Sequence, residues 1–226
     1  MSTANCRGAF ILFEGMDRCG KSTQVQLLSK HLRAASPAAS VEDIRFPNRE
    51  SHVGKLINSY LSSANNLNDQ AIHLLFSANR WEQAADIRNK LDAGVTLVCD
   101  RYAYSGVAYS SAKGLDRDWC KSGDVGLPRP DCVIFMNMPV EQAAQRGQYG
   151  EERYEKLDFQ REIQKKFLEL QEEDRAAAEE GGGGEWMVVD ATQSIEDIQA
   201  QIQARVAEVV RSVRDKPIGS LWSKTP

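Results

Sequence analysis

Residues 15–22 read Gly15-Met16-Asp17-Arg18-Cys19-Gly20-Lys21-Ser22, which satisfies G-x-x-x-x-G-K-[ST] at every fixed position. The pattern constrains the fold because it works only as the turn between a buried strand and a helix. Its glycines let the backbone point N–H groups inward around phosphate oxygens, and the positive end of the following helix completes the cradle. In that geometry Lys21 reaches the β- and γ-phosphates of a nucleoside triphosphate, and Ser22 ligates Mg²⁺. The flanks fit. Residues 9–14 (A-F-I-L-F-E) are a short apolar run, and 21–35 put Val25, Leu28 and Leu32 on one helical face.

The remaining chain repeats this plan. The segment at 41–46, ending at Pro47, and the apolar runs at 95–99, 132–138 and 186–189 read as further strands, and the lack of polar alternation in the apolar runs suits a parallel sheet buried on both faces. Helical segments separate them at about 53–61, 69–93 (with Gly94 just past the end) and 157–180, and a last helix opens on the capping-box-like Ser194-Ile195-Glu196-Asp197. Pro139 suits the first residue of a helix after the fourth strand. The alternation predicts an α/β fold: a five-stranded parallel sheet flanked by helices in three layers, formed by residues 1–226 as one domain. The run 181–184 (Gly181 to Gly184), beside an acidic stretch, reads as a flexible surface turn.

Composition narrows the partners. A net charge of −4 argues against a nucleic-acid coat or an anionic-membrane binder, so any bound anion must meet a local cluster of positive groups. Five cysteines without a C-x-x-C pair, and three histidines without zinc-ligand spacing, point to free thiols in a reducing compartment. No apolar run reaches membrane-spanning length, and the first residues lack a secretory core; the cytoplasm is the expected location.

Asp100-Arg101 directly follow the strand at 95–99. A carboxylate at a strand's C-terminal end, in the same sheet as the phosphate loop, is placed to act on the metal or its water, so Asp100 joins Ser22 as a metal candidate. Arg101 offers a planar donor fork for a second phosphate. Arg45, Arg49, Arg80, Arg101, Arg146 and Arg153 recur where predicted elements end, as a concentrated anion pocket would require. Residues 146–155 read as a lid whose charged groups could exclude water. Asn89-Lys90-Leu91-Asp92 matches the guanine-reading N-K-x-D motif, but it ends a long amphipathic helix and reads as solvated surface. Cys19 is read as a small residue tolerated within the loop, with a redox switch as the other possibility.

The blocks F-E-G-M-D-R-C-G-K-S, R-F-P-N-R, H-L-L-F-S-A-N-R-W-E, D-R-Y-A-Y-S-G-V-A-Y, D-V-G-L-P-R-P-D and E-R-Y-E together resemble the thymidylate kinases of eukaryotic type, over about residues 8–222. The resemblance implies a P-loop kinase fold and transfer of the ATP γ-phosphate to dTMP, giving dTDP on the way to dTTP, with Mg²⁺ and a homodimer. It implies an ATP site of Gly15, Asp17, Arg18, Cys19, Gly20, Lys21, Ser22, Thr23 and Arg146. On the dTMP side it implies Phe76 stacked on thymine, Arg80 and Ser105 on the base edge, and Arg49 and Arg101 on the acceptor phosphate. Asp17 falls near the 3′-hydroxyl; Phe46, Gly106, Tyr109, Tyr154 and Gln160 line the rest, Tyr154 crowding out a ribose 2′-hydroxyl. Arg18, Lys21, Asp17 and Arg101 are the implied catalytic groups. Met16, Cys19, Asn48 and Tyr109 depart from residues common in the family, and Tyr109 bears on which bases or sugars are accepted. A broader deoxynucleoside monophosphate kinase and a slow nucleotide-dependent switch are the alternative readings.

Overall fold

The computed structural model describes residues 6–36, 40–146, 153–154, 156–179 and 184–223. Along the chain these give β1 (Phe10–Gly15), α1 (Lys21–Ala35), β2 (Val41–Arg45), α2 (His52–Leu61), α3 (Asp69–Asp92), β3 (Thr96–Asp100), α4 (Ala103–Ser111), α5 (Arg117–Ser122), β4 (Cys132–Asn137), α6 (Val140–Ala144), α7 (Leu157–Glu179), β5 (Trp186–Asp190) and α8 (Ile195–Ser212). The strands form one sheet in the order β2-β3-β1-β4-β5, with every pairing parallel. Each matches the strand segment read from the sequence to within one residue at either end.

The uninterrupted apolar character of β1, β3 and β4 follows from burial on both faces. Phe10 and Leu12 of β1 pack with Leu97, Cys99, Val133 and Phe135 under α3, α4 and α7. Ile11 and Phe13, pointing the other way, pack with Val98, Ile134 and Met136 under α1 and α8. A smaller cluster of Ile57, Tyr60, Leu61 and Ile72 joins α2 to α3.

The strand order positions the site. After β1 the chain skips a place to lay down β2 at the edge, β3 fills the gap, and β4 then joins the other flank of β1. Connections leave β1 in opposite directions from those around β4, which opens a crevice at the C-terminal strand ends. Phe13 of β1 is in register with Asp100 of β3, and the Arg101 N–H donates to the Phe13 carbonyl. The phosphate loop and the Asp100-Arg101 pair therefore start side by side.

Two local features differ from the sequence-based expectation. No element is predicted between Arg101 and Cys132, yet α4 and α5 lie there. The α4 sequence A-Y-S-G-V-A-Y-S-S combines glycine, valine and serines, which form helix poorly on their own. Pro139 is the residue before α6, with an extended ψ of 132°, so the helix starts one residue later at Val140. Asn68, whose side chain accepts from the Gln70 and Ala71 N–H groups, caps α3 ahead of Asp69. Of the lid expected at 146–155, residues 147–152 and 155 lie outside the described residues, as do 181–183 of the glycine run. Among the described residues no helix is long and apolar enough to cross a membrane.

Gly54 sets the approach of α2 to the loop after β2. A Cβ there would sit 1.8 Å from the Asn48 carbonyl oxygen and 2.9 Å from the Arg49 Cα, both backbone atoms. Gly54→Ala is expected to cost about 1–3 kcal/mol through overpacking, despite alanine's better helix propensity. Urea unfolding checks this; an alanine variant more stable than the parent would refute the close approach.

Candidate active site

The loop between β1 and α1 is built for an anion. Gly15 and Gly20 have φ of 143° and 95°, and Arg18 takes a left-handed φ of 63°. A Cβ on Gly15 would come within 2.7 Å of the Met136 carbonyl, so the turn needs glycine sterically as well as conformationally. Gly20 is the N-cap of α1 and supplies no side-chain cap, and the first turn carries no acidic residue. The N–H groups and positive dipole end of α1 are thus left for a ligand. Lys21 is buried, and its Nζ donates to the carbonyls of Gly15 (3.1 Å) and Met16 (2.5 Å) and to Cys19 Sγ (3.5 Å).

Ser22 and Asp100 meet at the floor of this loop, the Ser22 hydroxyl donating to Asp100 Oδ2 at 2.7 Å. Asp100 is 3% exposed, and its Oδ1 is a buried oxygen without a hydrogen-bond partner. Among the described residues no group of three His, Cys, Asp or Glu could hold a metal by itself. A hard divalent cation fits nonetheless, because Mg²⁺ at phosphate sites ordinarily takes one or two protein oxygens and fills its sphere from phosphate and water. Around this floor a cleft is walled by Asp17, Arg18, Gly20, Lys21, Ser22, Thr23, Arg45, Asp100, Arg101 and Arg146. Arg146 closes one side, its guanidinium donating to the carbonyls of Arg18 (3.1 Å) and Ala191 (3.3 Å).

Arg101 leaves β3 in a left-handed conformation (φ 68°), which turns its side chain back over β1. Its Nη2 donates to Asp17 Oδ1 at 2.5 Å, and its Nη1 to the Gly15 carbonyl and Ser105 Oγ. Asp17 Oδ2 accepts from the Tyr109 hydroxyl (3.0 Å) and Gln160 Nε2 (2.9 Å). Burial alone would push the Asp17 carboxyl up; Arg101, Lys21 and the hydrogen bonds from Tyr109 and Gln160 outweigh it and hold the pKa below the usual carboxylate value. Asp17 is thus kept ionised.

Glu14, one residue before the loop, is a functional group that the sequence reading leaves unassigned. Fully buried at the end of β1, it accepts from the Tyr102 and Ser105 N–H groups through Oε1 and from the Ser105 hydroxyl through Oε2. It is the N-terminal cap that α4 lacks locally, since Tyr102 at the N-cap position provides none. Burial raises its pKa, against the Ser105 hydrogen bonds and the charge of Arg101. The signal that could have found it is a carboxylate inside an apolar run, which has to be paired or capped somewhere.

A second cavity opens on the other side of Arg101. Arg45 comes from the end of β2, Phe46, Pro47 and Arg49 from the loop after it, Ile72, Phe76 and Arg80 from α3, and Arg101, Tyr102, Ser105, Gly106, Tyr109, Ser110 and Lys113 from around α4. Asp17, Leu61 and Tyr154 complete it. Asp17, Arg45 and Arg101 wall both the cleft and this cavity. Phe76 and Arg80, one turn apart on α3, share the wall. Gln160 does not line it; 2% exposed, it stands behind Asp17 and also donates to the Tyr154 carbonyl. The Ser105 hydroxyl is given to Glu14, so its proton is directed into the protein rather than toward the cavity.

The arginines expected to converge do so with one exception. Arg45, Arg49, Arg80, Arg101 and Arg146 wall the cleft or the cavity, whereas Arg153 turns away. Arg153 donates to the carbonyls of Tyr60 and Asn65 and to Asn66 Oδ1, and its guanidinium lies 4.1 Å from the centroid of the Tyr60 ring. Tyr154 beside it is held over the cavity by Lys113, which also donates to Tyr60 and Asp69. Lys113 had no sequence signal, because its partners lie on three separate segments. Asn89–Asp92 sits on the last turn of α3, where Lys90 pairs with Glu42 and Asp86.

The model for the family described as thymidylate kinase matches residues 13–202. A thymidylate kinase of Schizosaccharomyces pombe is 52% identical over 209 residues, covering 92% of this chain and 96% of that protein. The human thymidylate kinase is 45% identical over 96% of this chain and 98% of its own length. A solved thymidylate kinase from Candida albicans, for which broad substrate specificity is described, superposes with a TM-score of 0.80 at 35% identity, covering 96% of this chain and 99% of the other.

Behind the cavity, His73 Nδ1 lies 2.7 Å from Ser110 Oγ and Nε2 2.9 Å from the Cys120 carbonyl. The carbonyl can only accept, so Nε2 carries the proton and Nδ1 accepts from the serine. Burial, and next the charge of Arg80, hold the His73 pKa below the ordinary 6.5. The unfolded chain therefore binds a proton near 6.5 that the folded one refuses, and stability is lost as pH falls below that value. His73→Asn is expected to flatten the fall of unfolding free energy between pH 6.5 and lower pH, by at most about 1.4 kcal/mol per pH unit. Denaturant titrations across this range check it; an unchanged slope would count against a neutral His73.

Proposed function

The chain belongs to the thymidylate kinase family and is a dTMP kinase, and from that premise we propose how its residues divide the reaction. ATP lies in the cleft, with its phosphates on Gly15, Asp17, Arg18, Cys19, Gly20, Lys21, Ser22 and Thr23 and with Arg146 alongside. dTMP lies in the cavity, its base between Phe76 and the α4 wall and against Arg80, its sugar near Asp17, Tyr109 and Tyr154, and its phosphate toward Arg49 and Arg101. Phe46, Ser105 and Gly106 shape that pocket, and Gln160 acts from behind by fixing Asp17. The observation that carries this division is that the two basins share Asp17, Arg45 and Arg101 and no other wall residue. A phosphoryl group passing between them moves along the side chains they share, Arg101 among them.

In-line transfer forms no covalent enzyme intermediate, so this chain acts by positioning and by charge. Arg18 and Lys21 neutralise charge on the moving group from the donor side, and Arg101 does so from the acceptor side. Asp17 is a positioning residue for Arg101 as well as a contact for the sugar. Ser22 and Asp100 would hold Mg²⁺, which when bound neutralises phosphate charge. We further propose one domain over residues 1–226, a cytoplasmic protein and a homodimer; exposed Leu74 and Trp81, seven residues apart on α3, support an interface on that helix.

Two measurements test the reading. In a coupled ADP-release assay with dTMP, dUMP, ribo-TMP and dGMP, dTMP is expected to give the highest kcat/KM and dGMP little turnover. Equal turnover of dTMP and dGMP would favour a broader monophosphate kinase, and ATP binding without turnover of any monophosphate would favour a nucleotide switch. Lys21→Ala is expected to lower kcat by at least about 10²–10³, as loss of charge stabilisation in the transition state does.

A further inference from the structure

Asp124 has no part in the roles above, yet it is 0% exposed and makes the most buried ion pair of the acceptor region. It lies just beyond α5, where its N–H donates to the Lys121 carbonyl. Oδ1 accepts from Arg80 Nε (3.1 Å) and Ser77 Oγ (2.8 Å), and Oδ2 accepts from Arg80 Nη2 (2.6 Å). The carboxylate thereby takes one whole edge of the guanidinium in a bidentate grip. Gly106 packs against the Nη1–Nη2 side of the same group, where a Cβ would come within 2.9 Å of Nη2, 3.1 Å of Nη1 and 3.3 Å of Cζ. Arg80 is 2% exposed, and what exposure it keeps is at the cavity that it lines. Among the described residues Nη1 has no hydrogen-bond partner.

A guanidinium carries five N–H donors and no acceptor. Left to rotate, Arg80 could present different donor pairs to different ligands. With Nε and one Nη2 hydrogen tied to Asp124, and Gly106 packed too close for the group to swing, the Nη1 donors and the outer Nη2 hydrogen are what remain for the cavity. These donors can satisfy a carbonyl oxygen; they meet an amino group as donor against donor, leaving both unpaired.

We propose that Asp124 is a specificity-setting positioning residue, which orients Arg80 so that the acceptor base must offer a carbonyl oxygen, and not an amino group, at its recognised edge. This rests on the reading that Arg80 addresses the base. Ser77, sharing Oδ1, fixes the carboxylate in turn. A substrate pair reports the effect: dTMP and dCMP differ at the relevant ring position by carbonyl against amino, and dUMP, which keeps the carbonyl but lacks the 5-methyl group as dCMP does, is the control for that methyl.

The experiment measures kcat/KM for dTMP, dUMP and dCMP, together with KM for ATP, in the parent enzyme and in Asp124→Asn, Ser77→Ala and Arg80→Gln, with circular dichroism and thermal melts as fold controls. Asp124→Asn is expected to raise KM for dTMP and to lower the dTMP:dCMP preference by at least about tenfold, the weight of one hydrogen bond to a charged group, with KM for ATP unchanged. Ser77→Ala is expected to shift the preference in the same direction by less, and it carries the test alone if Asp124→Asn does not fold. A folded Asp124→Asn, or in its absence Ser77→Ala, that lowers stability or kcat with the preference intact would overturn the proposal. If Arg80→Gln keeps the preference, base reading by Arg80 itself fails; if Arg80→Gln loses it while Asp124→Asn keeps it, only the role of Asp124 falls.

Discussion

Arg101 emerges from β3 with a left-handed backbone and reaches back across the sheet to Asp17 in the phosphate loop of the neighbouring strand, at 2.5 Å. This ion pair is where the donor cleft and the acceptor cavity join, and both residues belong to both walls. A positive φ in a residue with a long side chain is costly. Here the conformation is over-determined by the Arg101 N–H bond to Phe13, by the Nη1 bonds to Gly15 and Ser105, and by Glu14 gripping the start of α4 one residue later. Two carboxylates from one strand end, Glu14 and Asp17, thus set the helix and the guanidinium that follow the other. An error in either would displace Arg101 and the α4 wall of the cavity together, since Ser105, Gly106 and Tyr109 all ride on α4.

Much of this was legible before the structure, for identifiable reasons. The strands were readable because the central ones are buried on both faces and carry no polar alternation to confuse the pattern. The phosphate loop was readable because its steric needs, glycine at φ of 143° and 95°, dictate residue type directly. What was not legible came from contacts distant in sequence. α4 has weak local propensity and takes its cap from Glu14, 91 positions before Ser105. Arg153 looks like any other arginine near an element end, and only the packing of Tyr60 shows that it faces away from the anion site. Gln160, expected among the residues lining the pocket, is buried and bonded to Asp17, and its sequence position alone does not distinguish a residue that orients Asp17 from one that touches ligand.

The departures at Asn48 and Tyr109 now have surroundings. Asn48 is held at the backbone, its N–H donating to Asn79 and its carbonyl accepting from the same side chain, while its own side chain accepts from the Glu50 N–H, so its side chain braces the loop carrying Arg49 and is not part of the cavity wall. Tyr109 spends its hydroxyl on Asp17 and places its ring 5.4 Å from that of Tyr154. A phenylalanine there would keep the ring contact and release one acceptor position on Asp17, which makes this hydroxyl part of the charge balance at the junction of the two sites.

The central claim is that Asp17 and Arg101 act as one unit joining donor and acceptor. A double-mutant cycle on kcat/KM for dTMP, using Asp17→Asn, Arg101→Gln and the double variant, tests it most directly. The account predicts strong coupling, with the double variant little worse than the poorer single one and an interaction energy above about 1 kcal/mol. Losses that add to within about 0.5 kcal/mol would mean that the two residues act independently, and would contradict it.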